Sequence, residues 1–568
     1  MQEMSMFGRT IKKEKEVVLP MKKFSICLLM LLVVVFIFPG VGQAKLAPED
    51  YIDLKGHWAE QDVQLLDQLG IMRGVGTNEQ GYKVFAPGSL VTRAQMAKVL
   101  TDTFQLDYGQ LRFFKQPVAS DYYRDVDNNS WYADAVVMCE INEIFYARDE
   151  YNFEPASQLS RIEAAQAIYR SFNAKKITIP MIMMMPMYND TQDLEQEAMN
   201  AMVFVSNTGI MKGDGQNFRP DEPLTRAELA KIINRCIKLI SLDENNNGHD
   251  YSVNIGQEFF LSLPSNPSTG YGWDFDKSID EELLELKVDK AFENETNGNA
   301  VGQEGRTYWK FKALQAGKAV IELGYARPWE SVPPDKTFKV TINISVGSDS
   351  AGTGSITVQT MAYNHLDKYM ETNLHIPYLQ GMDDAALQTK LNDRFEQDAF
   401  GLEKSLQAEV EEYVKEAQAA DFPIRNFSLY SRFQQGYLNS RILSLTVNYY
   451  QYTGGAHGIT DRRPYNIDLG TGQDLALKDL FGTNFDYDSI INKEISRQIN
   501  NNKEIYFEGD MGFQGISEDQ DYYLQDDALV VYFQQYEIAP YAVGIPEFVI
   551  PLSLFGENFR TDLLTAAP

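Results

Sequence analysis

Residues 266–273 read Asn266-Pro267-Ser268-Thr269-Gly270-Tyr271-Gly272-Trp273. Two glycines and a proline supply unusual backbone angles, small hydroxyl side chains fill the tip, and two aromatics stand at one end. That composition predicts a stiff, presented loop. On both sides of it, hydrophobicity alternates with period two. Phe338, Val340, Ile342, Ile344 and Val346 alternate, as do Trp309, Phe311 and Ala313, and then Ile321, Leu323 and Tyr325. About a hundred residues of short strands between Gly- and Pro-rich turns predict an all-β immunoglobulin-like sandwich over residues 251–346. Two further turns stand out within it, Gly302-Gln303-Glu304-Gly305 and Arg327-Pro328-Trp329.

Together these three loops resemble those of the chagasin family of cysteine protease inhibitors, whose pattern is Asn-Pro-Thr-Thr-Gly-Tyr, a Gly-x-Gly-Gly loop, and Arg-Pro-Trp. Ser268 stands for the first Thr, and Glu304 for one Gly of the middle loop, where a carboxylate would carry repulsive charge toward an acidic cleft. The resemblance implies occlusion of a papain-like cysteine protease. Asn266, Pro267, Ser268, Thr269, Gly270 and Tyr271 would lie across the active-site cleft, with Gly302, Gly305, Arg327 and Pro328 beside them. Trp329 would anchor on the far side. Stiff loops lose little entropy on docking, so such binding needs no covalent chemistry.

Upstream, one phrase occurs three times: Val91-Thr92-Arg93-Ala94-Gln95, Leu159-Ser160-Arg161-Ile162-Glu163 and Leu224-Thr225-Arg226-Ala227-Glu228. The arginines are 68 and 65 residues apart. Each phrase is a capping box that opens a helix, and apolar residues follow at helical spacing. A first helix precedes each phrase, such as residues 59–69 with Gly70 as C-cap. Arg93, Arg161 and Arg226 fall at the first helical position, where the helix dipole disfavours a cation. Either a neighbouring carboxylate or a bound anion would account for them. The three units resemble S-layer homology domains, in repeats at about 51–110, 120–177 and 185–242. The resemblance rests on Gly70-Ile71-Met72-Arg73-Gly74, Gly209-Ile210-Met211-Lys212-Gly213 and Phe218-Arg219-Pro220. It implies an all-α pseudo-trimer over 51–242 that binds a pyruvylated secondary cell wall polymer through Arg93, Arg161, Arg226, Gly74 and Gly213. Glu143 and Glu197 depart from the pattern, in repeats two and three.

Residues 241–249 form a polar linker. Asp243, Asn245, Asn247 and Gly248 there have the spacing of a calcium loop, but Asn254 stands where a bidentate Glu belongs, so no metal is assigned. A second linker, 347–354, leads to residues 355–568. There a helical pattern over 383–419 and later strand patterns predict an α+β domain. Ile376-Pro377, Tyr452-Thr453-Gly454-Gly455-Ala456-His457-Gly458 and Ala539-Pro540-Tyr541-Ala542-Val543-Gly544 resemble paired extracellular domains of peptidoglycan deacetylases and of lysozyme-sensing anti-sigma factors. That implies an extracellular binding module whose partner is a lysozyme-like protein or a glycan. His457 reads as a turn residue.

The chain of 568 residues carries a formal charge of −29, which excludes phosphate-backbone binding and hence nucleic acid as a partner. Lys22-Lys23, the apolar run 24–38 and Gly42-Gln43-Ala44 form a signal-peptide pattern over 1–44, with Met21 as an alternative start. Cys139 and Cys236 then remain, as two buried thiols or one disulfide. There is no metal-spaced His or Cys pair and no Gly-x-Ser-x-Gly, so neither a catalytic residue nor a cofactor is assigned. The reading is a secreted, wall-anchored binding protein of several domains. The rivals are an envelope hydrolase or deacetylase working through carboxylates, and a purely structural surface-layer protein.

Overall fold

The structure, a computed structural model, describes residues 51–109, 111–148, 151–181, 184–294, 305–330, 332–346 and 356–564. The leader at 1–44, the linker at 347–354, and Gly302 and Glu304 lie outside the described residues. Among the described residues no helix is long and apolar enough to cross a membrane.

The three repeats supply α1 (Glu60–Gln68), α2 (Arg93–Phe104), α3 (Ala133–Ile141), α4 (Arg161–Ala174), α5 (Gln196–Asn207) and α6 (Arg226–Ile240). Thr92, Ser160 and Thr225 each accept from the backbone of the third helical residue, and Gln95, Glu163 and Glu228 close the capping boxes. What joins the repeats is a ring of backbone bonds. Val91 donates to Leu224 at 2.8 Å, Leu224 to Leu159 at 3.0 Å, and Leu159 to Val91 at 3.0 Å. Around it each guanidinium reaches into the turn of the next repeat. Arg93 Nε donates to the Phe153 carbonyl (2.8 Å), Arg161 Nε to Phe218 (2.9 Å) and Arg226 Nε to Phe85 (2.9 Å). Their second donors go to Tyr146, Lys212 and Arg73.

The carboxylate account of the three arginines holds in part: Glu163 pairs with Arg93 and Glu228 with Arg161, both at 3.8 Å, but the shorter bonds of all three arginines go to backbone carbonyls. The first N–H groups of each helix are spent on the neighbouring repeat, as when Arg93 N donates to Ser157 and Ala94 N to Pro155. The side chains are 3%, 5% and 6% exposed, so their charge is satisfied by carbonyls and aromatic faces rather than by water. Arg226 lies 4.4 Å from the Phe85 ring centroid. Each of these turns is held by an aspartate that accepts two backbone N–H bonds: Asp53 under Phe85 and Ala86, Asp125 under Phe153 and Glu154, Asp190 under Phe218 and Arg219.

The repeats are not purely helical. A two-stranded ribbon pairs β1 (Gly76–Thr77) with β2 (Lys83–Val84), and β3 (Leu111–Phe113) follows α2. The expected all-α unit is corrected to that extent: the Gly-rich turn is tied by a ribbon, and the segment after α2 has unpaired backbone groups that a distant sheet edge satisfies.

Next come β4 (Asp250–Asn254), β5 (Glu258–Ser265), β6 (Gly272–Phe275), β7 (Leu284–Asn294), β8 (Gly305–Ala313), β9 (Gly317–Ala326) and β10 (Lys336–Ser345). They form two sheets, in the orders β4-β10-β9-β6 and β5-β8-β7. Trp309, Phe311, Ile321, Leu323, Phe338, Val340 and Ile342 fill the space between them. The outer face of the three-stranded sheet is not solvated. Phe260, Ala291 and Tyr308 belong to the core of the helical repeats. Beside them Asn234 Nδ2 donates to Asp62 and to Glu293 (both 2.6 Å), and Tyr308 donates to Glu293 at 3.0 Å. The polar linker is likewise spent on the chain. Asp243 accepts from Asn245 N, and Asn247 bonds Lys339 N and the Thr337 carbonyl.

The C-terminal part holds β11 (Thr357–Leu366), β12 (Met370–Gln380), α7 (Ala385–Ala419), β13 (Phe427–Leu438), β14 (Ile442–Tyr452), β15 (Ile459–Asp468) and β16 (Gln473–Asp474). α8 (Tyr487–Asn500), β17 (Tyr522–Leu524), β18 (Ala528–Tyr532) and β19 (Glu547–Pro551) complete it. The large sheet runs β16-β15-β14-β13-β12-β11-β3, so its edge is capped by the strand from the repeats, Met361 facing Arg112. From Tyr51 onward the chain is one compact unit rather than modules on tethers. Cys139 and Cys236 are free and buried, and burial pushes the Cys139 thiol up to about 12.

Two measurements check this account. Arg226→Ala leaves two carbonyls without donors inside the ring, so urea unfolding should show a loss of about 3 kcal/mol. Glu140, next to Glu371 and Glu143, takes the Tyr123 hydroxyl, and burial raises its pKa to about 7. The folded state therefore holds a proton that the unfolded state has already released. Stability should fall as pH rises from 5 through 7, and Glu140→Gln should remove that decline in urea titrations at each pH.

Candidate functional site

The tip of the quoted loop is a single 3₁₀ turn, Pro267–Thr269, closed by Gly270 at φ +80°. Thr269 N donates to the Asn266 carbonyl (3.1 Å), Thr269 Oγ1 to the same oxygen (2.7 Å), and Gly270 N to the Pro267 carbonyl (3.0 Å). The loop is tied to its sheet at both ends. Asn266 N donates to the Tyr325 hydroxyl (2.9 Å) and Trp273 Nε1 to the Pro264 carbonyl (2.9 Å). Pro267, Ser268 and Thr269 remain exposed.

Arg327 clamps the turn from the side. Its Nε donates to the Thr269 carbonyl at 3.2 Å, and its guanidinium lies 4.6 Å from the Tyr271 ring centroid. Tyr271 stacks on Tyr325 at 5.4 Å. Glu330 holds the other end of Arg327 at 2.8 Å and keeps it charged. Trp329 is 69% exposed, and its indole lies directly on Gly270, where a Cβ would sit 2.4 Å from the ring. The tip and Trp329 therefore form one continuous surface, not the two separated anchors expected from the sequence. Gly305 also differs from expectation. It is the buried first residue of β8, and a Cβ there would stand 2.2 Å from the Glu293 carbonyl, so its role is close strand packing. Tyr325, the hub of the loop, was legible only as one of an alternating run of core residues.

A second concavity, a groove of about 600 Å³, opens where the third repeat meets the first. Arg73 and Gly74 come from the Gly-rich turn of repeat one, Lys98 and Asp102 from α2, Arg226 from α6, and Trp131 from the start of repeat two. Gly74 is required by contact: a Cβ would meet the Val84 carbonyl at 2.5 Å and the Tyr51 ring at 2.6 Å, and its N–H donates to the Tyr51 hydroxyl. Gly213 repeats this geometry with Tyr188 and the Asn217 carbonyl. Trp131 is 63% exposed.

The symmetry-related positions are altered. Arg170, which corresponds to Asp102, pairs with Glu197 at 2.7 Å and covers the Tyr146 ring at 4.4 Å. Lys231, which corresponds to Lys98, is held by Asp62 at 3.1 Å beside the sandwich. Arg93 and Arg161 stay inside the ring of repeats.

In the C-terminal part, the two quoted glycine-rich motifs meet. The His457 ring lies parallel to Tyr541 at 3.9 Å, Tyr452 donates to the Gly455 carbonyl, and Arg425 donates to Gly454. No group of three or more His, Cys, Asp or Glu side chains that could hold a metal occurs among the described residues.

Comparison with known proteins bears on each part. Residues 252–342 match the chagasin family peptidase inhibitor I42, and Amoebiasin-1 of Entamoeba histolytica is 31% identical over 105 residues, 18% of this chain and 99% of the relative. Through this segment the chain belongs to the chagasin family. Residues 50–97 and 188–230 match the S-layer homology domain, 363–460 the deacetylase PdaC family, and 478–553 a family of unknown function, DUF3298. A surface-layer 125 kDa protein of Lysinibacillus sphaericus is 25% identical over 207 residues, 36% of this chain, and the chain spans 16% of that relative's length. A solved DUF3298-family structure from Bacteroides fragilis is similar at 21% identity, TM-score 0.32, covering 37% of this chain and 97% of that one.

The clamp on the tip gives a direct check. Gly270→Ala places a methyl where the indole lies and forces an L-residue to positive φ, at about 1–2 kcal/mol. Acrylamide quenching should report a more accessible tryptophan than in the unmodified protein, with the far-UV spectrum unchanged.

Proposed function

We propose that this chagasin-family member is a surface-layer-associated inhibitor of papain-like cysteine proteases, held on the envelope by its S-layer homology repeats. The observation that carries the reading is the exposed 266–270 turn, locked by Arg327 and extended by Trp329 into one rigid, outward patch. A protease groove would receive the turn at Thr269-Gly270 and the indole beside it, where a large aromatic buried on docking contributes most of the affinity. The backbone of the turn is already internally bonded, so it has little entropy left to lose.

Wall attachment is assigned to the groove between the third and first repeats. The indole of Trp131 offers a face for a sugar ring, and Arg73, with Lys98 held beside it by Asp102 (2.6 Å), offers charge to the carboxylate of a pyruvyl ketal. Arg226 and Gly74 shape the floor. The C-terminal module would bind a further extracellular partner, a lysozyme-like protein or a glycan, near the paired motifs at His457 and Tyr541. A second reading, deacetylase activity on wall glycans, is favoured by the family match over 363–460. Acetate release from peptidoglycan by the purified chain would establish it.

Papain titrated with the whole exported chain tests the inhibitor reading. The sandwich alone would expose Phe260, Ala291 and Tyr308, which the repeats cover. Stoichiometric inhibition is expected, with Trp329→Ala weakening it by about 2 kcal/mol or more. No inhibition at micromolar protein would remove the reading for that enzyme. For the anchor, Trp131→Ala should abolish sedimentation with purified wall polymer while Glu197→Ala leaves it intact.

A further inference from the structure

The loop between α4 and α5 holds a cluster of side chains that neither the inhibitor nor the wall anchor uses. Met181, Met183, Met184, Met185 and Met187 fall within seven residues, Met183 lying outside the described ones. Met184, Met185 and Met187 are 65%, 57% and 87% exposed, an unusual position for three apolar side chains so close together. The loop is not loose at this point, because Asn207 Nδ2 of α5 donates to the Met184 carbonyl at 2.9 Å. Three of its thioethers, from Met181, Met184 and Met185, line one groove of about 540 Å³ with a fourth, Met199, which faces them from α5. The rings of Tyr169 and Phe204, 5.3 Å apart, stand behind them.

The donor set is selective. Among the described residues the groove is lined by four thioethers, the Tyr169 phenol, the Phe204 ring, Val203 and the two neutral amides of Gln196 and Asn200, with no carboxylate or imidazole for a hard or borderline cation. Thioether sulfur is a soft, uncharged ligand that suits Cu(I) and binds Zn(II) or Ca(II) poorly. Methionine side chains have three rotatable bonds, so sulfurs spaced i, i+3 and i+4 on a loop can converge with one from a facing helix without moving the backbone. The aromatic faces behind them favour a cation over water. The described residues that the loop contributes to this lining, Met181, Met184 and Met185, all carry sulfur. We propose that this groove is a binding site for a soft monovalent cation, Cu(I), held by the thioethers of Met181, Met184, Met185 and Met199. No electron transfer is involved, because the ion binds and leaves as Cu(I).

The test uses the whole exported chain. Ag(I), a redox-inert soft cation, is titrated calorimetrically in nitrate buffer, and Cu(I) is titrated anaerobically against a chromogenic chelator. Cys139 and Cys236 are fully buried and offer no competing thiol. A single saturable equivalent is expected for each ion, with none for Zn(II), and X-ray absorption should show sulfur-only ligation. The variant M181L/M184L/M185L/M199L keeps the apolar volume and removes the sulfurs, and such swaps are well tolerated in packed sites. It should lose the saturable step while inhibiting papain as the parent does. Should it fail to fold, M184L/M185L, confined to exposed positions, should lose the step on its own. Equal titration by parent and leucine variants, or a first shell of nitrogen or oxygen, overturns the proposal. Apolar peptide docking, the competing use of the groove, would survive the leucine substitutions.

Discussion

Three guanidinium groups, each donating two hydrogen bonds to carbonyls of the next repeat, hold the first third of the described chain together. Each arginine is almost fully buried, a costly position for a cation unless its donors are filled. The carbonyls at the ends of three glycine-containing or aromatic turns fill them, and a phenylalanine face lies against each planar group. The backbone ring through Val91, Leu159 and Leu224 and the aspartates under the turns only make sense once those turns are fixed. A helix N-terminus that would repel a cation in isolation here starts a side chain that leaves the helix altogether.

The same ring positions everything built on it. The face of α1 and α6 that a wall-binding unit would otherwise leave to water is covered by the β5-β8-β7 sheet, with Asn234, Asp62 and Glu293 satisfying one another at the joint. The inhibitor sandwich is thereby oriented relative to the Trp131 groove, and its loop tip stands on a support much larger than the sandwich itself. The C-terminal sheet is fastened in another way, by taking β3 as its edge strand. A bare sheet edge is a liability, and pairing it within the chain removes that hazard while fixing the module to the repeats.

The three repeats are not equivalent at the positions around the groove. Arg170 pairs with Glu197, and Lys231 pairs with Asp62 beside the sandwich. The groove beside α2 has the exposed Trp131 and Arg73, with Lys98 paired to Asp102. Likewise the exposed patch at the loop tip depends on a contact between loops that are 58 residues apart: Arg327 caps the Thr269 carbonyl, and Trp329 rests where only a glycine leaves room.

Much of this was readable beforehand, for stated reasons. Capping boxes, period-two alternation and the Asn-Pro-Ser-Thr-Gly-Tyr turn are local: their physics needs only neighbouring residues, so the helix starts, the sandwich strands and the exposed tip follow from sequence. The glycines at 74 and 213 were visible as a repeated phrase, though not the tyrosine contacts that demand them. What the sequence could not reveal is contact between distant segments. It could not say that three arginines give their shortest bonds to carbonyls of neighbouring repeats, that Gly305 is a packing residue, or that Trp329 sits on Gly270. Nor could it show that the polar linker at 241–249 is pinned and that the modules form one compact unit. Those facts depend on which carbonyl, ring or strand edge lies within a few ångströms after folding, and only the tertiary structure decides that.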